Sequence, residues 1–191
     1  MRSVVLPVCF CFLLEGVGVQ EPDMNLVVSF TDADAVPWMI VNDGVMGGRS
    51  TSDIRRTERE TLLFTGYVSL ENNGGFASTR ADVYPLDLSD FQGVTLRVRG
   101  DGRLYQLRFR TSGAFEGVAY RAEFQTTREE WVEISLPFES FEPSFRGRIP
   151  RGVDPLDTSN IRQMGFLIGD KKEGPFRLEI DWVRAYRAPG E

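Results

Sequence analysis

The sequence predicts an all-β fold, a jelly-roll β-sandwich, and three observations carry that prediction. Short runs of period-two alternation follow one another from Leu26 onward, separated by Gly, Asn, Asp and Pro. No stretch of twelve residues keeps the apolar stripe of a helix. Fourteen Phe, five Tyr and three Trp supply the flat side chains that a two-sheet core takes up.

Each run reads as a strand: Leu26–Thr31, Asp53–Thr57, Thr61–Leu70, Phe76–Ala81, Gly93–Arg99, Leu104–Thr111, Val118–Gln125, Glu130–Leu136, Ile161–Ile168 and Phe176–Tyr186. The alternation assigns faces. Val94, Leu96 and Val98 point to a core, as do Tyr105, Leu107 and Phe109 and then Val118, Tyr120, Ala122 and Phe124. In the last run Phe176, Leu178, Ile180 and Trp182 are expected inside, with Arg177, Glu179 and Asp181 opposite. One-sided burial of this kind belongs to antiparallel sheets packed face to face. Single turns of helix fit only around Pro137–Phe141 and Asp157–Ile161. About ten strands in this length make one jelly roll. The expected division is a leader and spacer over residues 1–23, one domain over 24–188 and a short tail over 189–191.

Composition excludes several chemistries. The 191 residues contain no histidine, which removes Ser–His–Asp and Cys–His nucleophile systems and His-ligated zinc. Both cysteines, Cys9 and Cys11, lie in the N-terminal apolar run, so the domain has no disulfide or thiolate site. A net charge of −6 argues against nucleic acid. Its basic residues are nearly all Arg, which suits planar contacts to carboxylates, amides or sugar hydroxyls. No cofactor or metal is expected, and no calcium-loop spacing is present. A carboxylate pair such as Glu123 with Glu133 is the remaining catalytic arrangement.

Residues 1–18 have the layout of a short export signal: Arg2, an apolar run over Val4–Leu14 and small residues at Gly16-Val17-Gly18. That run is too short to span a bilayer, and no transmembrane anchor is expected. Export is one reading; a cytoplasmic protein starting at Met24 is the other, supported by Glu15 inside the apolar stretch.

Three segments stand out. In Trp38–Ser50 an Asn-Asp pair and three glycines make a loop whose backbone visits positive φ. A tight structural connection explains it; bare amides forming an anion- or carbonyl-binding nest would explain it too. Asn72–Arg80 reads as a hairpin turn entering a strand, with Phe76, Ser78 and Arg80 spaced by two. Gly165–Trp182 reads as a hairpin with a charged loop.

Taken together, V-N-D-G-V-M-G-G-R-S after Trp38, then G-G-F-A-S-T-R, then G-F-L-I-G-D and G-P-F-R-L-E-I-D-W-V resemble the complex I intermediate-associated protein 30 family. Tyr120-Arg121-Ala122 and Trp131–Phe138 fit the same pattern, so the resemblance covers about residues 26 to 187. It implies a galactose-binding-like jelly roll and a non-catalytic assembly chaperone for NADH:ubiquinone oxidoreductase. The expected partner is then a protein, such as a respiratory complex subunit or assembly intermediate. The N-terminus is neither Arg-rich nor amphipathic, so it does not match a mitochondrial transit peptide.

The candidate contact residues are Asn42, Asp43, Met46, Gly47, Gly48 and Ser50, then Gly75, Phe76 and Arg80, then Arg108 and Arg121. The alternative is a carbohydrate-binding module, with Gln106, Arg108, Arg110, Arg121, Glu123 and Trp131 along one sheet face. A solvated outer face explains the same residues. Trp38, Trp131 and Trp182 are expected to pack rather than bind. The compartment is decided by mass spectrometry of the mature protein: a start near Val19 places it outside the cytoplasm, and a start at Met24 places it inside.

Overall fold

Alternating apolar residues need a second apolar layer to cover them, and here each sheet covers the other. The computed structural model describes residues 24–30, 36–114 and 116–187. In chain order the strands are β1 (Met24–Val28), β2 (Trp38–Ile40), β3 (Thr51–Arg56), β4 (Leu62–Val68), β5 (Ala77–Leu86) and β6 (Gly93–Gly100). They continue with β7 (Leu104–Arg110), β8 (Ala119–Gln125), β9 (Trp131–Pro137), β10 (Glu142–Ser144), β11 (Ile161–Ile168) and β12 (Gly174–Tyr186).

The first sheet runs β3-β4-β12-β6-β9, with β1 also paired to β12; the second runs β10-β8-β7-β11-β5-β2. Neighbouring strands are antiparallel throughout. The long β12 spans the first sheet, pairing with β4 through its first half and with β1 through its second. The helical turns are single 3₁₀ turns, two of them at Phe138–Ser140 and Thr158–Asn160, where the sequence allowed them.

The inward residues of β6, β7 and β8 are those the alternation selected. Leu96, Val98, Tyr105, Leu107 and Phe109 are fully enclosed, and Met164, Phe166 and Ile168 of β11 join them. Aromatic pairs pack beneath each layer: Phe64 meets Phe176 at 4.8 Å under the first sheet, and under the second Phe109 meets Phe141 at 5.2 Å and Trp38 meets Phe166 at 5.8 Å between centroids. Trp38 is half-buried and packs against the core as expected.

Three expectations are corrected. Trp182 does not continue the inward set of β12. The pairing with β6 slips between Ile180 and Trp182, so Ile180 faces Val98 and Trp182 faces Arg97. The extra residue reverses the alternation, placing Val183 and Ala185 in the core. Trp182 is left half-buried under the guanidinium of Arg184, 4.2 Å from its ring. Trp131 lies on β9 of the first sheet, whereas Gln106, Arg108, Arg110, Arg121 and Glu123 lie on β7 and β8 of the second. It therefore cannot form one platform with them; Arg97 and Arg99 flank it instead, each 5.0 Å from its ring. Glu123 and Glu133 are likewise on different sheets, both exposed, which removes the carboxylate pair. The short strands β2 and β10 went unanticipated because three residues carry almost no alternation.

The expected leader over 1–23 and the tail over 189–191 lie outside the described residues, as does Thr31. Among the described residues no helix is long and apolar enough to cross a membrane.

The Phe109 ring is fully buried against Phe138 and Phe141. Replacing Phe109 by Ala is expected to cost about 4 kcal/mol of stability in chemical denaturation, from lost burial and the cavity it leaves.

Candidate binding site

The candidate residues separate into two groups, one holding the loops and one lining a sheet face. The first group centres on Asp43, which is fully buried at the start of a 3₁₀ turn over Asp43–Met46. Its Oδ1 accepts the Ser50 N–H at 2.9 Å. Its Oδ2 accepts the Ser50 hydroxyl at 2.5 Å and the N–H groups of Gly75 and Phe76 at 2.7 and 3.2 Å. One carboxylate thus ties the loop before β3 to the turn before β5.

The glycines around it follow from that close approach. A Cβ on Gly48 would stand 2.4 Å from the Asp43 carboxyl carbon, and one on Gly74 would stand 2.6 Å from Oδ2. Neighbouring Asn42 repeats the device: its Oδ1 accepts from the Ser52 hydroxyl at 2.9 Å and the Ser78 N–H at 3.2 Å. Asn42, Asp43, Gly48, Ser50, Gly75 and Phe76 therefore act on one another. Met46, 58% accessible, faces solvent, together with the exposed Gly44, Gly47 and Arg49.

Burial would raise the Asp43 carboxyl, but the Ser50 hydroxyl and the backbone N–H groups of Gly75, Ser50 and Phe76 outweigh it and hold the group below the ordinary value. The third motif is anchored in the same way. Asp170 receives a two-pronged contact from Arg103, Nη2 to Oδ1 at 2.6 Å and Nε to Oδ2 at 3.1 Å. Arg103 Nη1 also reaches the carbonyls of Gly174 and Pro175, which fixes the loop from β11 to β12. Burial of Asp170 works against ionisation, and Arg103 prevails and lowers it.

The second group is set by register. One continuous cross-strand row crosses the second sheet: Met39, Arg80, Gly165, Arg108, Arg121 and Glu142, one residue from each strand. A second row places Gln163 between Asp82 and Arg110, and a third runs Ser78, Leu167, Gln106 and Glu123. These rows form the outer face, because Thr79, Met164, Phe166, Leu107 and Ala122 alternate with them and point inward. Arg80 and Ser78 share this face; Phe76 precedes β5 and contributes its N–H to Asp43.

Arg80, Arg108, Arg110, Ser78, Gln163 and Gly165 line a shallow pocket of about 40 Å³. Its charges are uneven. Arg121 is shared between Glu123 and Glu142, at 3.6 Å from each. Asp82 lies on the Arg80 side and accepts from Gln163 Nε2 at 2.7 Å. Arg108 is depressed to about 10, first by burial and then by the positive charges of Arg110 and Arg121. Arg110 is lowered by burial and by Arg80. Sequence reasoning named Arg80, Arg108 and Arg121 but did not single out Gln163, Gly165 or Met39. Their membership depends on which strands adjoin, and alternation alone does not contain that.

The family described as Complex I intermediate-associated protein 30 matches residues 28–180. The chain belongs to that family. A curated member, "Complex I intermediate-associated protein 30, mitochondrial" of Mus musculus, is 30% identical over 178 residues, covering 82% of this chain and 54% of that protein. The Drosophila melanogaster member of the same name is 25% identical over 184 residues, covering 84% of this chain and 62% of its own length. The chain thus spans just over half of these complex I intermediate-associated protein 30 members. In fold it is similar to the family 11 carbohydrate-binding module of a cellulosomal cellulase of Clostridium thermocellum, with a TM-score of 0.66 and 16% identity, covering 90% of this chain and 99% of that one. The signature of complex I intermediate-associated protein 30 seen in the sequence coincides here with the Asp43 and Asp170 anchors.

Asp43→Asn is expected to destabilise the domain by about 3 kcal/mol, because an amide cannot accept from all the donors now aimed at the carboxylate. Because the folded carboxyl sits below its unfolded value of about 3.9, its contribution is present above that pH and is lost as pH falls through the folded value. Urea denaturation across the acid range checks both: the wild type weakens on acidification, and the variant follows a flatter curve.

Proposed function

We propose that this domain is a non-catalytic interaction module that holds a polypeptide partner during assembly of a membrane respiratory complex. Family membership supports the assembly role, and the outer face of the second sheet supports the binding mode. At its β2 edge Met39, 41% accessible, lies in the row beside Arg80, Ile40 is equally accessible on the opposite side of the strand, and Met46 is exposed on the loop that follows. Apolar side chains bordering a cationic row suit a protein surface, where anchors exclude water and charged groups set register. That adjacency is the observation carrying the reading. Methionines adapt to partners of varied shape, which fits a factor that releases its client.

Carbohydrate binding is the second reading, favoured by the fold likeness to a carbohydrate-binding module. Gln106, Arg108, Arg110, Arg121 and Glu123 do share one face. The aromatic platform expected from Trp131 is on the other sheet. The compartment is part of the proposal: an assembly role requires the domain to meet its membrane complex, and the mature N-terminus shows on which side.

The double replacement of Met39 and Ile40 by Asp is expected to abolish co-migration with respiratory-complex assembly intermediates in native electrophoresis of solubilised membranes. Both side chains are exposed, so the fold should keep its melting temperature within about 4 °C. Unchanged co-migration, or saturable binding to a mixed-linked glucan in its place, defeats the assembly reading.

A further inference from the structure

A cation withdrawn from water needs a counter-charge or full hydrogen bonding, as the buried carboxylates of this protein show: neutral donors fill Asp43, and two others have cations. Asp170 has Arg103, and Glu179 has Arg99 at 2.7 Å, Arg177 at 3.1 Å and the Thr61 hydroxyl at 2.8 Å. Arg108 departs from this pattern. Among the described residues no carboxylate lies within ion-pairing distance of Arg108 or Arg110. The Arg108 Nε is shut off from solvent with no hydrogen-bond partner, and its Nη2 reaches only the Ser144 hydroxyl at 3.4 Å. Arg110 gives its Nη1 to the Gly117 carbonyl at 2.7 Å, a neutral acceptor.

A small pocket borders these groups, with a glycine in its wall. Gly165 sits in the row between Arg80 and Arg108, where a Cβ would stand 2.5 Å from the Thr79 carbonyl oxygen. No side chain can therefore project at this position, and the pocket beside it is lined by the guanidinium groups. At about 40 Å³ the pocket has room for a few atoms rather than a sugar ring.

We propose that the pocket over Gly165 binds a single carboxylate, presented by an acidic side chain of a polypeptide partner and gripped by Arg108 with Arg110. The site stands on this geometry; the polypeptide as the source of the carboxylate rests on the function proposed above. A planar carboxylate matches the guanidinium fork and supplies the missing negative charge. A monoanion is favoured over phosphate because Asp82, Glu123 and Glu142 rim the face and the whole chain carries −6. The same negative field disfavours nucleic acid and anionic membrane surfaces. Gln163 Nε2 is held by Asp82, which leaves its Oε1, buried and without a partner, at the edge of the pocket.

The test follows the arginine Nε–H resonances of the isotope-labelled full chain during titration with propionate, with inorganic phosphate, and with a Gly-Ser peptide carrying one Glu or one Gln. Saturable shifts at Arg108 with propionate and the Glu peptide are expected. Binding should weaken by at least about tenfold in both Arg108→Met and Arg110→Gln, the loss expected for a charge-assisted hydrogen bond. Arg108→Met is also expected to melt no lower than the wild type without ligand, because it removes an uncompensated cation. No saturable shift, equal affinity in the variants, or a marked drop in melting temperature for Arg108→Met overturns the site. Tighter binding of phosphate than of propionate, or equal binding of the Glu and Gln peptides, overturns the carboxylate assignment. Loss of co-migration in the Met39, Ile40 double variant with propionate binding retained separates this site from the partner reading.

Discussion

One buried carboxylate holds the edge of the sandwich in place. Asp43 has no accessible surface and accepts from Ser50, Gly75 and Phe76, residues on two loops far apart in sequence. A buried charge is tolerable only when its hydrogen-bonding capacity is filled, so the carboxylate enforces the approach of both loops. That approach fixes where β3 and β5 begin. The start of β5 in turn fixes the register of Arg80 against Gly165 and of β2 against β5. The outer face that carries the arginine row is therefore positioned by a group that never reaches it.

The same logic recurs in the adjoining loop, where Gly169 lies against Gly75 and Phe76. Arg103 fills the Asp170 carboxylate and three backbone carbonyls, and the charged loop between β11 and β12 folds around it. The family signature in the sequence is largely the record of these two anchors. Glycines next to Asp43 are required by atoms standing closer than a methyl group allows, with no ligand needed to explain them. What distinguishes a contact surface here is the reverse condition, charge gathered without its complement. Arg108 and Arg110 meet it, while Arg121, held between two glutamates, belongs to the rim.

Much of the fold was legible in the residues because the signal was local. Val94, Leu96 and Val98, or Tyr105, Leu107 and Phe109, announce their face by spacing alone, and each is buried. Trp182 broke the rule because a bulge inserts one residue against the partner strand, and the sequence of β12 does not mark where the slip falls. Trp131 was placed with the wrong neighbours for a different reason: alternation assigns a side of a strand but not the sheet the strand joins. Asp43 looked like a contact residue because an Asn-Asp-Gly loop normally lies at the surface, and its burial depends on a turn more than thirty residues away.

The sequence by itself determined the all-β class, most of the strands, the inward residues and, through its motifs, the family. Each of these is written in spacing along the chain, where sterics and the pleat give a period of two. Tertiary structure alone decided which strands adjoin, and with that the row from Met39 through Gly165 to Glu142 and the pocket it opens. The physical reason is that cross-strand neighbours are set by hydrogen-bond register between distant segments, and no local pattern encodes which segment will come to lie alongside.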